Sequence, residues 1–124
     1  VKLPLWLIAS LILSSCGPEV TRKTNQMGLA SFYGPGFDGN QTANGEIFDQ
    51  NALTAAHRHL AFNSIVLVID MNTGKTVTVR INDRGPFIEN RIIDLSIGAA
   101  EELGIIQAGV AEVHIIVIGK AEPQ

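Results

Sequence analysis

Five short apolar runs, 28–34, 64–70, 75–82, 91–96 and 112–119, cut apart by clusters of Gly, Asn, Asp and Pro, constrain this chain more than any other feature. Runs of that length, rich in β-branched and aromatic residues, predict strands. In 75–82 Val77, Val79 and Ile81 alternate with Thr76, Thr78, Arg80 and Asn82, so one face is buried and the other is wet. "IVLVI" and "HIIVI" are apolar on both faces, as expected of strands inside a closed barrel or beneath other elements. "NTG" at 72–74 predicts a hairpin turn. The one helix expected is "SIGAAEELG": Ser96 caps it, Ala99, Ala100 and Leu103 form its inner stripe, and Gly104 ends it in the left-handed region. Short strands with a single helix leave many edges, and closure into a barrel removes them. The expected class is therefore mainly β. With 124 residues, 46 % of them hydrophobic and 17 % charged, there is material for one core and not for two.

The formal charge of -3 excludes the basic surface that nucleic-acid binding requires. The chain opens with "VKLPLWLIASLILSSCG": one basic residue, an apolar run, then small residues before Cys16. That is the layout of a secretory signal peptide, too short to span a bilayer comfortably. "LSSC" resembles the lipobox of bacterial lipoproteins, which implies a lipoprotein signal peptide over 1–15, lipidation at Cys16 and membrane attachment through that lipid. An ordinary signal peptide with an incidental Cys near its cut is the alternative. Cys16 is the single cysteine, so no internal disulfide can form. Gly17, where an Asp would retain such lipoproteins in the inner membrane, implies the periplasmic face of the outer membrane. The polar stretch up to Met27 has no apolar period and reads as a tether of about 20 Å, so 16–27 is expected to link anchor and domain.

"ASFYGPGFDGNQTANGEIFDQNALTAAHRHLAF", "VTVRINDRGPF", "RIIDLSIGAAEELG" and the closing strand together resemble the rare lipoprotein A (RlpA) family of septal-ring lytic transglycosylases. The resemblance covers about 28–119, leaves 120–124 as a tail, and implies a six-stranded double-psi β-barrel with one short helix, related to expansins. It implies endolytic cleavage of the MurNAc-GlcNAc bond of peptidoglycan with formation of 1,6-anhydroMurNAc, on glycan strands lacking stem peptides. Asp83 falls on the family's catalytic acid, Glu46 on its glutamate and His57 on its histidine. Asp49, Tyr33, Thr42, Asn44, Gly45 and Arg84 fall on groove positions. No cofactor or metal is implied, and the three scattered histidines show no ligand spacing. Cell-division or envelope proteins are candidate partners. Many relatives carry a C-terminal SPOR domain that this stretch lacks, so septal targeting is not expected to carry over.

Those residue types suit the reaction. The leaving oxygen needs a proton, and the muramyl C6 hydroxyl, as internal nucleophile, must lose one, so a single carboxyl can serve both steps. Glu46 close to Asp83 would raise the pKa of that acid. His57 would orient Asp83 or shuttle its proton. Read as structure alone, Asp83 is a turn residue, Glu46 a solvated charge and His57 a packed histidine. His59 and His114 are expected to be structural, Arg84 to fix its loop by a salt bridge, and Asp94 to be a buried acceptor tying loops together. Tyr33 and Phe48 either pack under the groove or stack on sugar. Phe32 stands where relatives have Trp, and Ala61 and Asn63 stand where they have Pro and Gly. Asn63 must then tolerate a positive φ. A non-catalytic, expansin-like peptidoglycan-binding lipoprotein is the competing function, and a structural tethering lipoprotein a third.

Overall fold

The computed structural model describes residues 25–122. Six strands, β1 (Asn25–Phe32), β2 (Thr54–Ala56), β3 (Ser64–Asp70), β4 (Thr76–Asp83), β5 (Arg91–Leu95) and β6 (Ala111–Lys120), close into a barrel in the order β1-β5-β2-β4-β3-β6. One helix, α1 (Ile97–Leu103), follows β5. The expected signal peptide, Cys16 and most of the tether lie outside the described residues.

The barrel is mixed. β1 runs parallel to β5, and β2 parallel to β4, while β3 is antiparallel to both β4 and β6. Pairing of β1 with β6 closes the ring. Inside, Val66, Val68, Val77, Val79, Ile81, Ile93, Leu95, Val113 and Ile115 are buried. Each contributes roughly 1.5–3 kcal/mol by leaving water. β3 buries every second residue fully and the intervening ones by half, which explains why its sequence looked apolar on both faces. The hairpin at 72–74 forms, with Gly74 at φ 77°.

Two strands differ from expectation. β1 starts at Asn25, three residues ahead of the expected run, because Asn25, Gln26 and Met27 pair with Ile116, Ile115 and His114 of β6. That pairing is made by backbone, so no apolar period announced it. The sixth strand, implied by the resemblance but placed by no apolar run, is β2: three residues of "LTAAH" become a strand because β4 and β5 supply partners on both sides.

The helix matches its sequence signals closely. Ser96 Oγ accepts from the Ala99 amide at 3.1 Å, Ala99, Ala100 and Leu103 are its buried residues, and Gly104 closes it at φ 84°. Gly98 is required for another reason. A Cβ built there would lie 2.6 Å from the backbone oxygen of Asn51, so the helix touches the preceding loop where only hydrogen fits. Gly98→Ala is therefore expected to destabilise the protein by about 1–3 kcal/mol of overpacking, outweighing the roughly 1 kcal/mol that Ala normally gains within a helix. Denaturant unfolding checks the sign: a variant more stable than the parent would refute the close contact.

Candidate active site

The site grows out of one irregularity. By strict alternation Asp83 would follow Val77, Val79 and Ile81 into the core. Between β2 and β4, however, the register slips: Ala55 faces Ile81 but Ala56 faces Asp83, and Asn82 is the extra residue. A bulge of this kind turns the next side chain to the other face. Asp83 thereby joins Ala56 on the face opposite Ile81.

Ala56 also pairs with Asp94 on β5, and Asp94 pairs with Ser31 on β1. Ser31, Asp94, Ala56 and Asp83 thus form a rank across four neighbouring strands. The two aspartates lie two strand spacings apart, about 10 Å between Cα atoms. Ala56, fully buried, leaves the space between them open for lack of a larger side chain.

A cleft of about 430 Å³ opens over this rank, lined by Asp83, Asp94 and Ala56, by Tyr33 and Phe37 after β1, and by Arg84, Phe87 and Ile88 after β4. Both oxygens of Asp83 are engaged. Oδ2 accepts from the Tyr33 hydroxyl at 2.5 Å, and Oδ1 from the amides of Ala43 and Arg84, each at 2.9 Å. Burial, then the hydrogen bond and charge of Asp83, hold the Tyr33 hydroxyl far above its usual pKa, so it stays a donor. The Tyr33 ring stacks on Phe48 at 4.4 Å, which puts Phe48 beneath the cleft. Asp94 is half-buried rather than enclosed. Its Oδ1 accepts from Ser31 Oγ at 2.5 Å, while its Oδ2 has no hydrogen-bond partner among the described residues and is not among their buried orphans.

The remaining expected residues lie elsewhere. Glu46 is held by Arg80 through contacts of 2.7 and 2.9 Å and by the amides of Asn44 and Asn82, so its carboxylate faces a cation and two donors. The Arg80 bonds lower its pKa to about 2 in spite of partial burial, with Asn44 and Asn82 adding to the effect. Thr42, Asn44 and Gly45 shape the same turn: the Thr42 amide donates to Glu46 O, the Asn44 amide to Asn82 O, and Gly45 sits at φ 95°. This unit staples the loop before β2 to β4 and does not line the cleft. Asp49 is exposed and accepts from the Asn51 amide in its own turn.

His57 points away from Asp83, one residue past Ala56 on the strand. Its Nδ1 accepts from the amides of His59 and Leu60 at 3.0 and 3.1 Å, which leaves Nε2 to donate to Gln26 Oε1 at 2.9 Å. Burial, then the positive charges of His59, Arg84 and Arg58, lower its pKa to about 4, so the ring is neutral. Its backbone amide still holds Asp83, donating to the Asp83 carbonyl at 3.1 Å. Among the described residues Arg84 makes no salt bridge: its guanidinium lies 3.8 Å above the Phe62 ring and donates to the His57 carbonyl at 3.2 Å. Asn63 adopts φ 73°, the conformation expected of it. Among the described residues no group of three or more His, Cys, Asp or Glu is placed to hold a metal ion. The sequence reading did not single out Arg80 or Arg58. Arg80 had a weak signal, a lone cation on the wet face of β4; Arg58 had none.

The profile of the family described as "Lytic transglycolase" matches residues 25–115. The chain belongs to this family. It is 58 % identical over 92 residues to the "Endolytic peptidoglycan transglycosylase RlpA" of Campylobacter jejuni, covering 74 % of this chain and 34 % of that one. It is 55 % identical over 98 residues to the "Probable endolytic peptidoglycan transglycosylase RlpA" of Synechocystis, covering 79 % and 30 %. The chain thus spans about a third of the length of these curated relatives. Among solved structures, a mutant Clavibacter michiganensis expansin in complex with cellohexaose superposes with a TM-score of 0.62 at 20 % identity, covering 81 % of this chain and 54 % of that one. Streptomyces papain inhibitor superposes at 0.61 and 20 %, covering 76 % and 94 %. At such identities the likeness concerns the fold, and the fold is the family's double-psi β-barrel.

Of the three shifted groups among the described residues, His57 and Glu46 contribute to the acid sensitivity of this family member. His57 titrates at about 4 when folded against 6.5 when free, so between those values the unfolded chain binds a proton the folded chain refuses. Stability therefore falls as pH drops through that window and levels off below it. Glu46, at about 2 against 4.5, extends the loss from about pH 4.5 down to 2. Denaturation measured at a series of pH values is expected to show His57→Gln flattening the upper part of this decline and Glu46→Gln the lower part. An unchanged slope in either variant would contradict the assignment.

Proposed function

We propose that the cleft over Asp83 and Asp94 cuts the MurNAc-GlcNAc bond of peptidoglycan without water, leaving a 1,6-anhydroMurNAc end, on glycan strands lacking stem peptides. The observation that carries this reading is a pair of cleft carboxylates of unlike freedom: Asp83 with both oxygens taken by donors, Asp94 with one oxygen open. Support also comes from the activity named for the RlpA relatives and from an expansin of the same fold that holds cellohexaose.

In this mechanism Asp94 gives its proton to the glycosidic oxygen as the C1–O bond breaks, and GlcNAc leaves with a free 4-hydroxyl. Positive charge develops at the muramyl C1. Asp83, fixed by Tyr33 and two amides, faces that charge as a preorganised anion. The C6 hydroxyl then closes on C1 and its proton passes to the Asp94 carboxylate, which restores the acid for the next cycle. The acid/base task expected of Asp83 thus passes to Asp94, and Asp83 keeps an electrostatic one. Glu46 and Arg80 hold the loop that supplies the Ala43 amide to Asp83. His57 holds the Asp83 backbone from behind. Lipid at Cys16 would keep the domain in the bacterial envelope, at the periplasmic face of the outer membrane, and labelling with palmitate in the parent but not in Cys16→Ser checks that placement.

Mass spectrometry of stem-free strands is expected to reveal new 1,6-anhydro ends with the parent, and at least about 100-fold fewer with Asp83→Asn or Asp94→Asn. A dinitrophenyl muramyl glycoside, whose leaving group needs no proton, is expected to recover part of the turnover lost in Asp94→Asn, where the C6 hydroxyl still lacks its proton acceptor, and none of that lost in Asp83→Asn. Unaltered strands from a folded parent that still pellets with peptidoglycan would replace the enzyme with a binding module.

A further inference from the structure

Phe87 is 81 % exposed, more than any other large apolar side chain among the described residues, and Ile88 and Phe37 are 56 % and 48 % exposed. All three line the cleft that holds Asp83 and Asp94. Their exposure is built, not slack. Arg58 Nε donates to the Pro86 carbonyl at 2.6 Å, and its Nη2 to those of Arg91 and Ile88 at 2.5 and 3.3 Å. One guanidinium therefore gathers two carbonyls of the loop between β4 and β5 and the first carbonyl of β5, and a planar fork is the group suited to that task. Phe37, on the loop after β1, meets Tyr33 edge-on at 5.7 Å, and Tyr33 is bonded to Asp83. Both apolar walls are thus fixed relative to the carboxylates.

We propose that Phe87 and Ile88 from one loop and Phe37 from the other form a subsite that grips the C–H face of a pyranose ring next to the cleavage point, with Arg58 as the positioning residue that holds Phe87 out. The proposal rests on the glycan-cleaving reading above. A pyranose presents an apolar C–H face and a polar rim, and this cleft matches both, since Asn40, Gln41 and Arg84 line it beside the apolar walls. An apolar protein segment would cover the walls but leave those polar groups and the two carboxylates unpaired, at a cost of desolvation. A loop backbone already held by Arg58 also needs little ordering on binding. Residues 17–124 contain no Trp, so Phe is the aromatic surface on hand for a sugar.

Binding of stem-free glycan strands is measured in the Asp83→Asn protein, where cleavage does not intervene. Phe87→Ala is expected to weaken binding by roughly tenfold or more, with the unfolding midpoint unchanged because the ring is exposed. Phe87→Trp is expected to bind at least as tightly as Phe. Arg58→Gln is expected to weaken binding as well, and Phe87→Ala added to it to cost less than it does alone, because the ring is then no longer held out. In the active protein KM rises more than kcat falls. Parental binding in Phe87→Ala overturns the subsite while leaving the enzyme reading intact. A lowered unfolding midpoint that accounts for the weaker binding makes Phe87 structural and also overturns it. A folded parent that neither binds nor cuts glycan removes the enzyme reading and the subsite together.

Discussion

Closure of the sheet is the constraint on which everything else depends. β1 is bonded to β5 on one side and β6 on the other, so the backbone groups of six short strands are satisfied without an edge. A ring this small is filled by its own Val, Ile, Leu and Ala side chains, which leaves no interior for a ligand. Polar chemistry is therefore confined to the outer face and to the loops that fold over it. That is where the rank of Ser31, Asp94, Ala56 and Asp83 lies.

Placing a carboxylate on that face without breaking the core takes a local exception to the strand pattern. The extra residue at Asn82 supplies it, at the expense of burying an amide whose Oδ1 has no partner in the structure. Its Nδ2 does find one, Glu46 Oε1 at 3.2 Å. The Glu46–Arg80 pair thus stands next to the bulge. Its side chains are 21 % and 25 % exposed, and a pair at the surface is worth little on its own, but its place is where the loop carrying the Ala43 amide meets β4. Charge at Glu46 is spent on shape.

What the sequence made legible follows from how local each signal was. The helix was read to its caps because Ser96, the stripe and Gly104 lie within nine residues of one another. The alternation in 75–82 gave the core face of β4, and the polar run after it pointed to Asp83. Tyr33 and Arg84 do line the cleft with Asp83. β2 escaped notice because three residues carry no period. Asp94 looked like an enclosed acceptor because its neighbours Ile93 and Leu95 are buried; its openness depends on Ala56, which is small, and on a register between strands far apart in sequence. Proximity of Glu46 and His57 to Asp83 in chain order of motifs did not translate into side chains facing one cleft, since the direction of a side chain depends on parity and on bulges.

The direction of β1 has a consequence of its own. The chain enters the barrel at Asn25 and reaches the cleft only after Phe32, about 23 Å further along at roughly 3.3 Å per residue. β6 runs the other way, from Ala111 beside Ala30 back past Asn25, and the Ala121 amide then bonds to the Asn63 carbonyl. Both ends are tied to segments that lead into the cleft: Gln26, next to the entry, accepts from His57 Nε2 at 2.9 Å, and the Asn63 amide donates to the Ile81 carbonyl at 2.8 Å, two residues before Asp83. Anything joined at either end, whether an anchor or a further domain in a longer relative, is therefore held by the same hydrogen-bonded segments that position Asp83.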